Sequence, residues 1–566
     1  MNKPKATIQV NLGTSDLAVK IEDRGFIPLW DRSEPNDEAT QESWRNRSQI
    51  IVEQLCCELD VETRIPKGRQ LPFEFIKLTQ KIADVYKDKD KSEKWQDRLY
   101  PSRLLGIIKK AQEKFEISEV TVFVTRQEPI HESDSYFLFE ILEKWVKEKT
   151  GITITPAFIP SNIDLRKDVD ELSDYYYKQI QAIDTQKVIL ISRKGGTPAM
   201  INALNQQIAL SSIDRKIILI DPQLDVDRVL AGEPSPCQLA SYWKYIRNQK
   251  YEAVQQLLER WDFDGARVIL ERWQKYLGEL IDLGVVDREL KKNKSFIDKN
   301  TKILDLTCAY LNLDSAGTLS GKKINPKRKD YGIFNNFEYE DSDRLLNLYA
   351  QCQIFWDINQ VANFLFRLAS FGEEVLHYLI TNLDGIKYFD KEHNPNDWLL
   401  KPRLRDRNEQ LWLEFQRLEI ENNSFTKIAE WRDNHKKFRL PGRFSKRNFL
   451  EALINVRGKS EEIKTWKDLS DNFQSLDYWI SLRNKVTHSA EGASKAGMAQ
   501  MLQKDRNPES QDEKALNACK RDDILPTIEK MKEQTQRLSK QRYQFDSDFF
   551  IYDEVRTQVI EDLINS

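Results

Sequence analysis

The apolar positions of the chain follow two different patterns. In about the first 230 residues, short runs rich in Ile and Val alternate with longer helical stretches. Nearly continuous apolar runs are typical of strands that are buried on both faces of a parallel sheet. The predicted strands are Thr7–Leu12, Glu119–Thr125, Lys187–Ser192 and Lys216–Asp221. This alternation predicts an α/β N-terminal domain with a Rossmann-like, doubly wound sheet.

Beyond about Gly232 no further strand is predicted. The apolar residues there recur three and four positions apart, which is typical of helices that pack one face. We therefore predict three parts: the α/β domain at 1–232, a helical linker region at 233–340 and an all-α domain at 341–566. The stretch Gly25–Trp95 fits the strand–helix alternation poorly and is predicted to be a partly helical insertion in the first domain.

Composition narrows the class of protein. The 566 residues include no apolar run near the roughly 20 residues of a membrane span, and no export signal is evident at Met1. The six cysteines form no CxxC pair, which argues against a disulfide framework or a zinc cage. These features predict a cytoplasmic protein without a membrane segment or a metal. The net charge of −3 predicts that any contact with RNA uses a local groove.

The third predicted strand ends in a glycine turn, Arg193-Lys194-Gly195-Gly196-Thr197-Pro198. Thr197 suits a helix N-cap and Pro198 the first helical position. Two glycines let the backbone approach a ligand closely, and the N–H groups at a helix start attract phosphate. Arg193 and Lys194 add positive charge at the same point. The turn predicts a phosphate or nucleotide site, and the alternative is a tight turn that needs glycine only for its geometry.

Two further turns are expected at the same edge of the sheet. The first strand runs into Gly13, Thr14, Ser15 and Asp16, and the second into Thr125 and Arg126. Ligands of open α/β sheets bind outside the carboxyl ends of the strands. The three turns are therefore predicted to share one ligand site.

Near the C-terminus, Arg483, Asn484 and His488 form an R-N-x3-H pattern. RNA can be cleaved without a metal when its 2′-hydroxyl is the nucleophile. Histidine transfers protons near neutrality, and arginine holds a fixed positive charge against the phosphate. These roles make Arg483 and His488 candidate catalytic residues, with Asn484 able to orient either of them.

The spacing of this pair is weak evidence, because Arg126 and His131 repeat it. On a helix, residues five apart differ in direction by about 140°. Such a pair is easier to reconcile with a site shared by two subunits than with a site in one chain. The alternative is a partly buried histidine beside a solvated arginine.

The remaining histidines and the basic run carry weaker predictions. His377, His393 and His435 show no spacing typical of metal or triad chemistry, so surface or core positions are expected for them. The run His435–Arg447 is the best candidate for RNA contact, with Phe438 and Phe444 available for stacking. A solvated basic loop is the alternative.

The strand–GGTP–helix segment resembles the CARF domain (CRISPR-associated Rossmann fold). The resemblance covers about residues 1–230 and is strongest at Lys194–Met200. It implies that cyclic oligoadenylate, an allosteric activator rather than a cofactor, binds across the two-fold axis of a homodimer. The ligand-binding residues that it implies are Gly13, Thr14, Ser15, Arg126, Lys194, Gly195, Gly196 and Thr197.

The segment around Arg483 and His488 looks like the signature of HEPN ribonucleases. It is especially similar to the CARF–HEPN subgroup, where a Gly-x-Ser follows the histidine, here Gly492 and Ser494. The resemblance covers about residues 340–566. It implies an activator-dependent, metal-independent endoribonuclease of type III CRISPR defence that cleaves single-stranded RNA and leaves 2′,3′-cyclic phosphates.

Two alternatives remain open. In the first, the chain is a non-enzymatic sensor that relays ligand binding to a partner. In the second, the CARF half itself degrades the cyclic oligoadenylate; this activity could coexist with RNA cleavage, and Arg126, His131 or Thr14 could take part.

Overall fold

The computed structural model describes residues 3–22, 24–30, 47–65, 71–211, 215–223, 225–285, 287–313, 341–389, 399–400, 404–422, 438–439, 442–489, 494–495, 524–540 and 549–565. Within these ranges, only the backbone is described at 341–342, 399–400, 405–406, 438–439, 478 and 481–489. The chain divides into two compact units. Unit 1 comprises Met1–Ala253 and Ile269–Asp298, and unit 2 comprises Val254–Val268 and Lys299–Ser566. The division into three parts stays a prediction.

Unit 1 is built on a mainly parallel sheet. In its described part, nine strands, β1 to β9, lie in chain order at Lys5–Asn11, Ala18–Ile21, Gly25–Pro28, Leu99–Tyr100, Glu116–Val124, Ile154–Phe158, Val188–Ser192, Ile217–Pro222 and Cys237–Ala240. Six of them form the central sheet in the order β6-β5-β1-β7-β8-β9. Only β9 runs antiparallel to its neighbour. The strands β3-β2-β4 form a small antiparallel sheet.

The direction in which strands are added to the central sheet reverses at β1, which makes β1 the topological switch point of the sheet. From β1 the chain continues outward to β5 and β6 on one side, and later to β7 and β8 on the other. Loops that leave β1 and β7 in opposite directions open a crevice at the carboxyl ends of these strands, where ligands of such sheets bind.

The four predicted strands are present, but two strands of the central sheet were not predicted. The strand β6 contains Pro156 and is exposed at three of its five positions, so it lacks a continuous apolar run. The strand β9, Cys237–Ala240, is a short antiparallel edge strand. The expectation that strands end near Gly232 was therefore wrong. Both strands that were not predicted, β6 and β9, lie at the edges of the sheet, where a strand is partly exposed to solvent and needs no continuous apolar run.

Eight helices, α1 to α8, lie in the described part of unit 1. They span Arg47–Ile50, Phe75–Lys87, Ser92–Arg98, Ser102–Lys114, Tyr136–Thr150, Val169–Gln181, Pro198–Leu210 and Val226–Leu230. Three more, α9 to α11, span Trp243–Glu259, Phe263–Asp282 and Arg288–Leu311 and contribute residues to both units. The apolar faces of α6 and α7 pack with residues of β5, β7 and β8 in one hydrophobic core.

The predicted insertion carries β3, α1, α2 and the start of α3, together with a π-helical turn at Ile51–Cys56. Its helix α2 packs on α5 of the α/β domain. There the Tyr86 hydroxyl donates to the Glu148 carboxylate at 2.8 Å, and Lys144 Nζ donates to the Tyr86 carbonyl at 2.6 Å. The described part of the insertion is therefore fixed to the domain rather than projecting from it.

Unit 2 is predominantly helical. Its further helices, α12 to α19, span Asp341–Asp357, Val361–Asn382, Leu404–Arg407, Glu409–Glu421, Arg443–Arg457, Ser460–Ser489, Ile524–Ser539 and Ile551–Ile564. A 3₁₀ turn lies at Gly385–Tyr388, and the two-residue strands β10 (Leu399–Leu400) and β11 (Phe438–Arg439) pair antiparallel. The predicted combination of an α/β N-terminal domain and a helical C-terminal part is confirmed, with this short ladder as the exception to an all-α unit.

The helix α13 lies at the centre of unit 2, and most of its residues are buried. A helix that is apolar nearly all round packs inside a protein. At Gly372 the helix α17 passes close by, since an added Cβ would lie 3.6 Å from both Ile480 Cδ1 and Phe473 Cε1. No helix in the described ranges is long and apolar enough to cross a membrane.

Candidate ligand-binding site and catalytic helix

The turns after β1 and β7 meet at the switch point of the sheet. A Cβ on Gly13 would lie 3.1 Å from Gly195 Cα and 3.4 Å from Gly196 N. Gly195 and Gly196 have φ angles of +104° and +79°, which L side chains rarely adopt. The glycines therefore allow a close approach of two backbone segments and expose main-chain groups where a phosphate could bind.

The start of α7 is capped as its sequence predicts. Thr197 Oγ1 accepts from Met200 N at 3.2 Å, and Pro198 occupies the first helical position. The same hydroxyl donates to the Leu165 carbonyl at 2.6 Å. The Thr197 side chain is thus committed to the fold. Because Pro198 has no N–H and Met200 N is bonded to Thr197, the start of α7 acts on an anion chiefly through the helix dipole.

A buried ion pair that the sequence did not predict fixes the turn after β1. Asp16 Oδ2 accepts from Gly13 N at 2.6 Å and from Arg103 Nη2. Arg103 Nη2 also donates to the Asn11 carbonyl at 3.2 Å. Arg103 lies on α4, far from the turn in sequence, and no local pattern connects the two.

These turns line a cavity of about 780 Å³. Seven of the eight predicted ligand-binding residues line it: Gly13, Thr14, Ser15, Lys194, Gly195, Gly196 and Thr197. Arg126 is not among the residues that line the cavity. Its guanidinium carbon lies 4.8 Å from the centre of the Tyr136 ring. The loop after β5 instead contributes later residues to the lining, among them Gln127 and His131.

Those later residues form a rigid loop between Thr125 and Ser135. The buried Asp134 carboxylate accepts from Gln127 N at 3.0 Å and from His131 N at 2.9 Å. His131 lines the cavity, with its Nε2 2.6 Å from Arg166 Nη2 and its Nδ1 3.2 Å from Ser133 N. A neutral imidazole has one acceptor nitrogen, so it accepts from only one of these donors at a time.

The two basic residues of the glycine turn have different roles. Arg193 is held by the Asp221 carboxylate and donates to the Tyr242 hydroxyl at 2.8 Å. The hydrogen bonds to Asp221 raise the pKa of this guanidinium. The expectation that Arg193 adds charge to the ligand site was therefore wrong. Lys194 is exposed at the cavity and makes no ion pair with the residues that the structure describes.

The insertion supplies one wall of the cavity, through Trp30, Leu71 and Phe75. Trp30 is bound to the turn after β1. Its backbone N–H donates to the Thr14 carbonyl, and its own carbonyl accepts from Thr14 Oγ1, each at 3.3 Å. Phe75 is fully buried, whereas Trp30 is partly exposed. The partly exposed indole is therefore the aromatic surface that a ligand would meet on this wall.

An ion pair and a backbone hydrogen bond also fix the insertion beside the cavity. Arg64 Nη2 pairs with Glu132 Oε2 at 2.5 Å, and Ile76 N donates to the Glu132 carbonyl at 3.0 Å. Glu132 belongs to the rigid loop after β5 and itself lines the cavity.

The predicted catalytic residues lie on one long helix of unit 2. Arg483, Asn484 and His488 fall near the end of α17, which runs from Ser460 to Ser489. Their side chains lie outside the described residues, as do Gly492, His393 and His435. Just before them, Trp479 and Ile480 are buried as the apolar pattern predicts. The helix that carries the pair is thus packed into the unit up to the turn before Arg483.

Two arginines of the basic run are bound to α17. Arg443 Nε lies 2.9 Å from Asp477 Oδ1, and Arg447 Nη1 lies 2.7 Å from Asp477 Oδ2. Lys446 is buried and lies 2.8 Å from His377 Nε2. Arg443 and Arg447 share one carboxylate and Lys446 is enclosed, so this part of the run His435–Arg447 does not present its charges freely to RNA as expected. The side chains at 435–441 lie outside the described residues, and for them the expectation stays a prediction. The exposed Phe444 remains at the surface.

His377 belongs to a buried polar cluster that the sequence did not single out. Its Nδ1 lies 4.0 Å from Glu374 Oε2, which pairs with Arg344 at 3.1 Å. Burial, together with the charges of Lys446 and Arg344, lowers the pKa of His377 to about 3. The imidazole is therefore neutral near pH 7 and accepts from the Lys446 ammonium.

Comparisons with known proteins identify the fold. No protein-family model matches the chain, and no curated protein matches it. A solved structure, Enterococcus italicus Csm6 bound to cyclic hexa-2′-fluoro-hexa-dAMP, matches with a TM-score of 0.52 at 12% identity. The match covers 99% of this chain and 100% of that one. The resemblance to the CARF–HEPN family is confirmed at the level of the fold. The chain therefore shares the fold of Csm6 along nearly its whole length.

Proposed function

We propose that the protein is an endoribonuclease of type III CRISPR defence that cleaves single-stranded RNA when cyclic oligoadenylate binds to unit 1. The observation that carries the proposal is the convergence of the Gly13–Ser15 and Lys194–Thr197 turns on one cavity at the switch point of the sheet. Backbone N–H groups, a helix start and the exposed Lys194 suit the phosphates of such a ring. The fold shared with Csm6, whose solved structure holds a cyclic hexanucleotide analogue, supports the same ligand class.

The RNA-cutting role is assigned to Arg483 and His488 on α17. In the proposed reaction the 2′-oxygen of RNA attacks the adjacent phosphorus, and the 5′-oxygen leaves. The proton lost by the 2′-hydroxyl is balanced by the proton that the 5′-oxygen gains, and His488 takes part in this transfer. Arg483 stabilises the negative charge on the phosphoryl oxygens, and Asn484 orients the pair. The products are a 2′,3′-cyclic phosphate and a 5′-hydroxyl, and no metal takes part.

A homodimer completes the proposal. Two copies of α17 would bring two Arg483–His488 pairs to one site, which removes the difficulty that the two residues point in different directions on their own helix. Activation requires the ring to bind the conformation that cleaves RNA more tightly than the inactive conformation. We further propose that the protein acts in the cytoplasm, where its RNA substrate is found.

The proposal is tested by cleavage of a labelled single-stranded RNA with EDTA and the activating ring present. Wild type should cleave, and His488→Ala and Arg483→Ala should each lose at least 100-fold in rate, on the order expected for loss of acid–base or electrostatic catalysis. Arg417→Ala, which removes an exposed arginine paired with Glu414 and Glu421, is the control and should cleave normally. Undiminished cleavage by His488→Ala contradicts the catalytic assignment, and loss of wild-type cleavage in EDTA contradicts the metal-free reaction.

A second activity, degradation of the activator by unit 1, is favoured by one observation. His131 lines the ligand cavity together with Thr14, and the Arg166 guanidinium lies 2.6 Å from its Nε2. A histidine and a cation thus line the cavity that we propose holds the phosphates. Incubating the ring with His131→Ala and with His488→Ala separates the two activities, since only the first substitution should preserve the ring.

A further inference from the structure

Unit 2 contains a second cavity, of about 500 Å³, which none of the features above explains. It is lined by Leu311, Asn312, Phe355, Asn363, Phe366, Arg367 and Ser370. The helices α11, α12 and α13 supply these residues, except for Asn312, which directly follows α11. The lining combines one cation with aromatic rings and short polar side chains, a mixture that suits a nucleotide better than a purely apolar ligand.

Arg367 is the distinctive residue of this cavity. Its side chain is partly buried and makes no hydrogen bond or ion pair with any residue that the structure describes. Burial lowers the pKa of its guanidinium, and the groups that act on it electrostatically are Cys352 and Tyr552. A desolvated cation without a carboxylate partner reduces stability, so it is usually retained for an anion that binds there.

The groups around Arg367 match the other parts of a nucleotide. Phe366 is 41% exposed and offers a face on which a base can stack. Asn312 and Asn363 carry amide groups that recognise base edges or a ribose hydroxyl, and both are exposed at the cavity.

The cavity lies close to the segments that flank the proposed catalytic residues. It is formed partly by α13, whose Gly372 meets Ile480 of α17 just before Arg483. On its other side, Phe355 is followed by Trp356, and Lys495 Nζ lies 4.6 Å from the centre of the Trp356 ring. Lys495 comes shortly after His488 in the chain. The polypeptide on both sides of the Arg483–His488 pair is thus packed next to the elements that form the cavity.

We propose that this cavity binds one nucleotide of the single-stranded RNA substrate, with Arg367 on a phosphate and Phe366 against a base. The proposal rests on the proposed ribonuclease function and adds to it a subsite away from the cleaved bond. Such a subsite holds the strand in register without taking part in the chemistry, so its loss weakens binding of RNA rather than the rate at saturation.

The test uses the full chain carrying His488→Ala, so that RNA is bound but not cut. Binding of a fluorescein-labelled RNA of mixed sequence is measured by polarisation over a range of salt concentrations, with cyclic hexa-adenylate present. Adding Arg367→Met should raise the dissociation constant about tenfold and lower the slope of its salt dependence by about 0.7, the contribution of one phosphate contact on a single strand. Arg417→Met is the matched control and should change neither value.

Two further measurements distinguish a binding role from a structural one. The Arg367→Met protein should melt at the same or a higher temperature, because a desolvated cation is removed, whereas a structural arginine would lower the melting temperature. Its affinity for cyclic hexa-adenylate should equal that of the parent. Unchanged RNA affinity, or a lowered melting temperature, overturns the RNA subsite while leaving the proposed function intact. Failure of the His488→Ala parent to bind RNA overturns both.

Discussion

A Cβ placed on Gly13 would lie only 3.1 Å from the Cα of Gly195. These residues lie in the turns that follow β1 and β7, two strands that are far apart in the chain but adjacent in the sheet. The contact joins two turns that the sequence presents separately, and it places the first turn of α7 beside the Thr14–Ser15 segment. The ligand site in our account is the concave surface that this contact creates.

Substitution of Gly195 should abolish the ligand site. An added Cβ would clash with the Asn11 carbonyl, and the φ angle of +104° disfavours any L side chain. We expect Gly195→Ala to lower the free energy of unfolding by about 1–3 kcal/mol and to weaken binding of cyclic hexa-adenylate at least tenfold. Calorimetric titration and thermal denaturation measure the two effects.

Gly151→Ala is the control for strain alone. Gly151 also has a positive φ, of +73°, but nothing lies within 4 Å of the Cβ that it would gain. This variant should lose some stability and keep its full affinity for the ring. If Gly195→Ala binds as tightly as Gly151→Ala, the close approach of the two turns has no part in ligand binding.

The wall formed by the insertion should contribute a stacking surface through Trp30. A base that stacks on an aromatic side chain gains about 1–3 kcal/mol, so Trp30→Ala should weaken ring binding by roughly tenfold or more. Trp30→Phe should restore most of the affinity. Tyr245→Ala removes an aromatic side chain that is 64% exposed elsewhere in unit 1 and should have no effect. Equal affinities for Trp30→Ala and Tyr245→Ala would mean that the insertion does not contact the ligand.

His377 should make the stability of the protein depend on pH. Its pKa falls from 6.5 to about 3 in the folded state, so the unfolded chain binds the additional proton as the pH decreases through 6.5. The resulting stability is present above pH 6.5 and is lost as the pH falls from 6.5 toward 3. Between pH 7 and pH 5 this linkage amounts to about 2 kcal/mol.

Thermal denaturation of wild type and His377→Gln at several pH values measures this effect. The glutamine amide oxygen can still accept from Lys446 but does not titrate, so the variant should lose less stability than wild type between pH 7 and pH 5. If melting temperature plotted against pH gives parallel curves for the two proteins, the pKa of His377 is the same in the folded and unfolded states.

The sequence predicts those parts of the site that depend on local backbone chemistry. The GGTP turn, its N-cap at Thr197 and the turn at Gly13 follow from residues that only a few conformations accommodate. Interactions between distant segments were not predictable in the same way. The pair Asp16–Arg103 joins two elements through side chains whose types are common on any protein surface.

Charge was the least reliable guide to the site. Arg193, Arg443 and Arg447 are prominent in the sequence as basic residues, yet carboxylates of Asp221 and Asp477 hold them. Arg367 lies within an apolar helix, and no carboxylate among the described residues pairs with it. Whether a cation is available to a ligand depends on its neighbours in space, which a single sequence does not specify.

The most direct test of the account is the rate of RNA cleavage as a function of activator concentration. Cyclic tetra- and hexa-adenylate are each titrated into wild type, Lys194→Glu and the control Lys187→Glu, which changes a lysine at the opposite end of β7. We expect saturable activation of wild type and Lys187→Glu by one of the rings. For Lys194→Glu we expect a curve shifted at least tenfold to higher concentration with the same plateau. Cleavage that neither ring accelerates, or superimposable curves for all three proteins, would contradict the claim that the unit 1 cavity controls RNA cleavage.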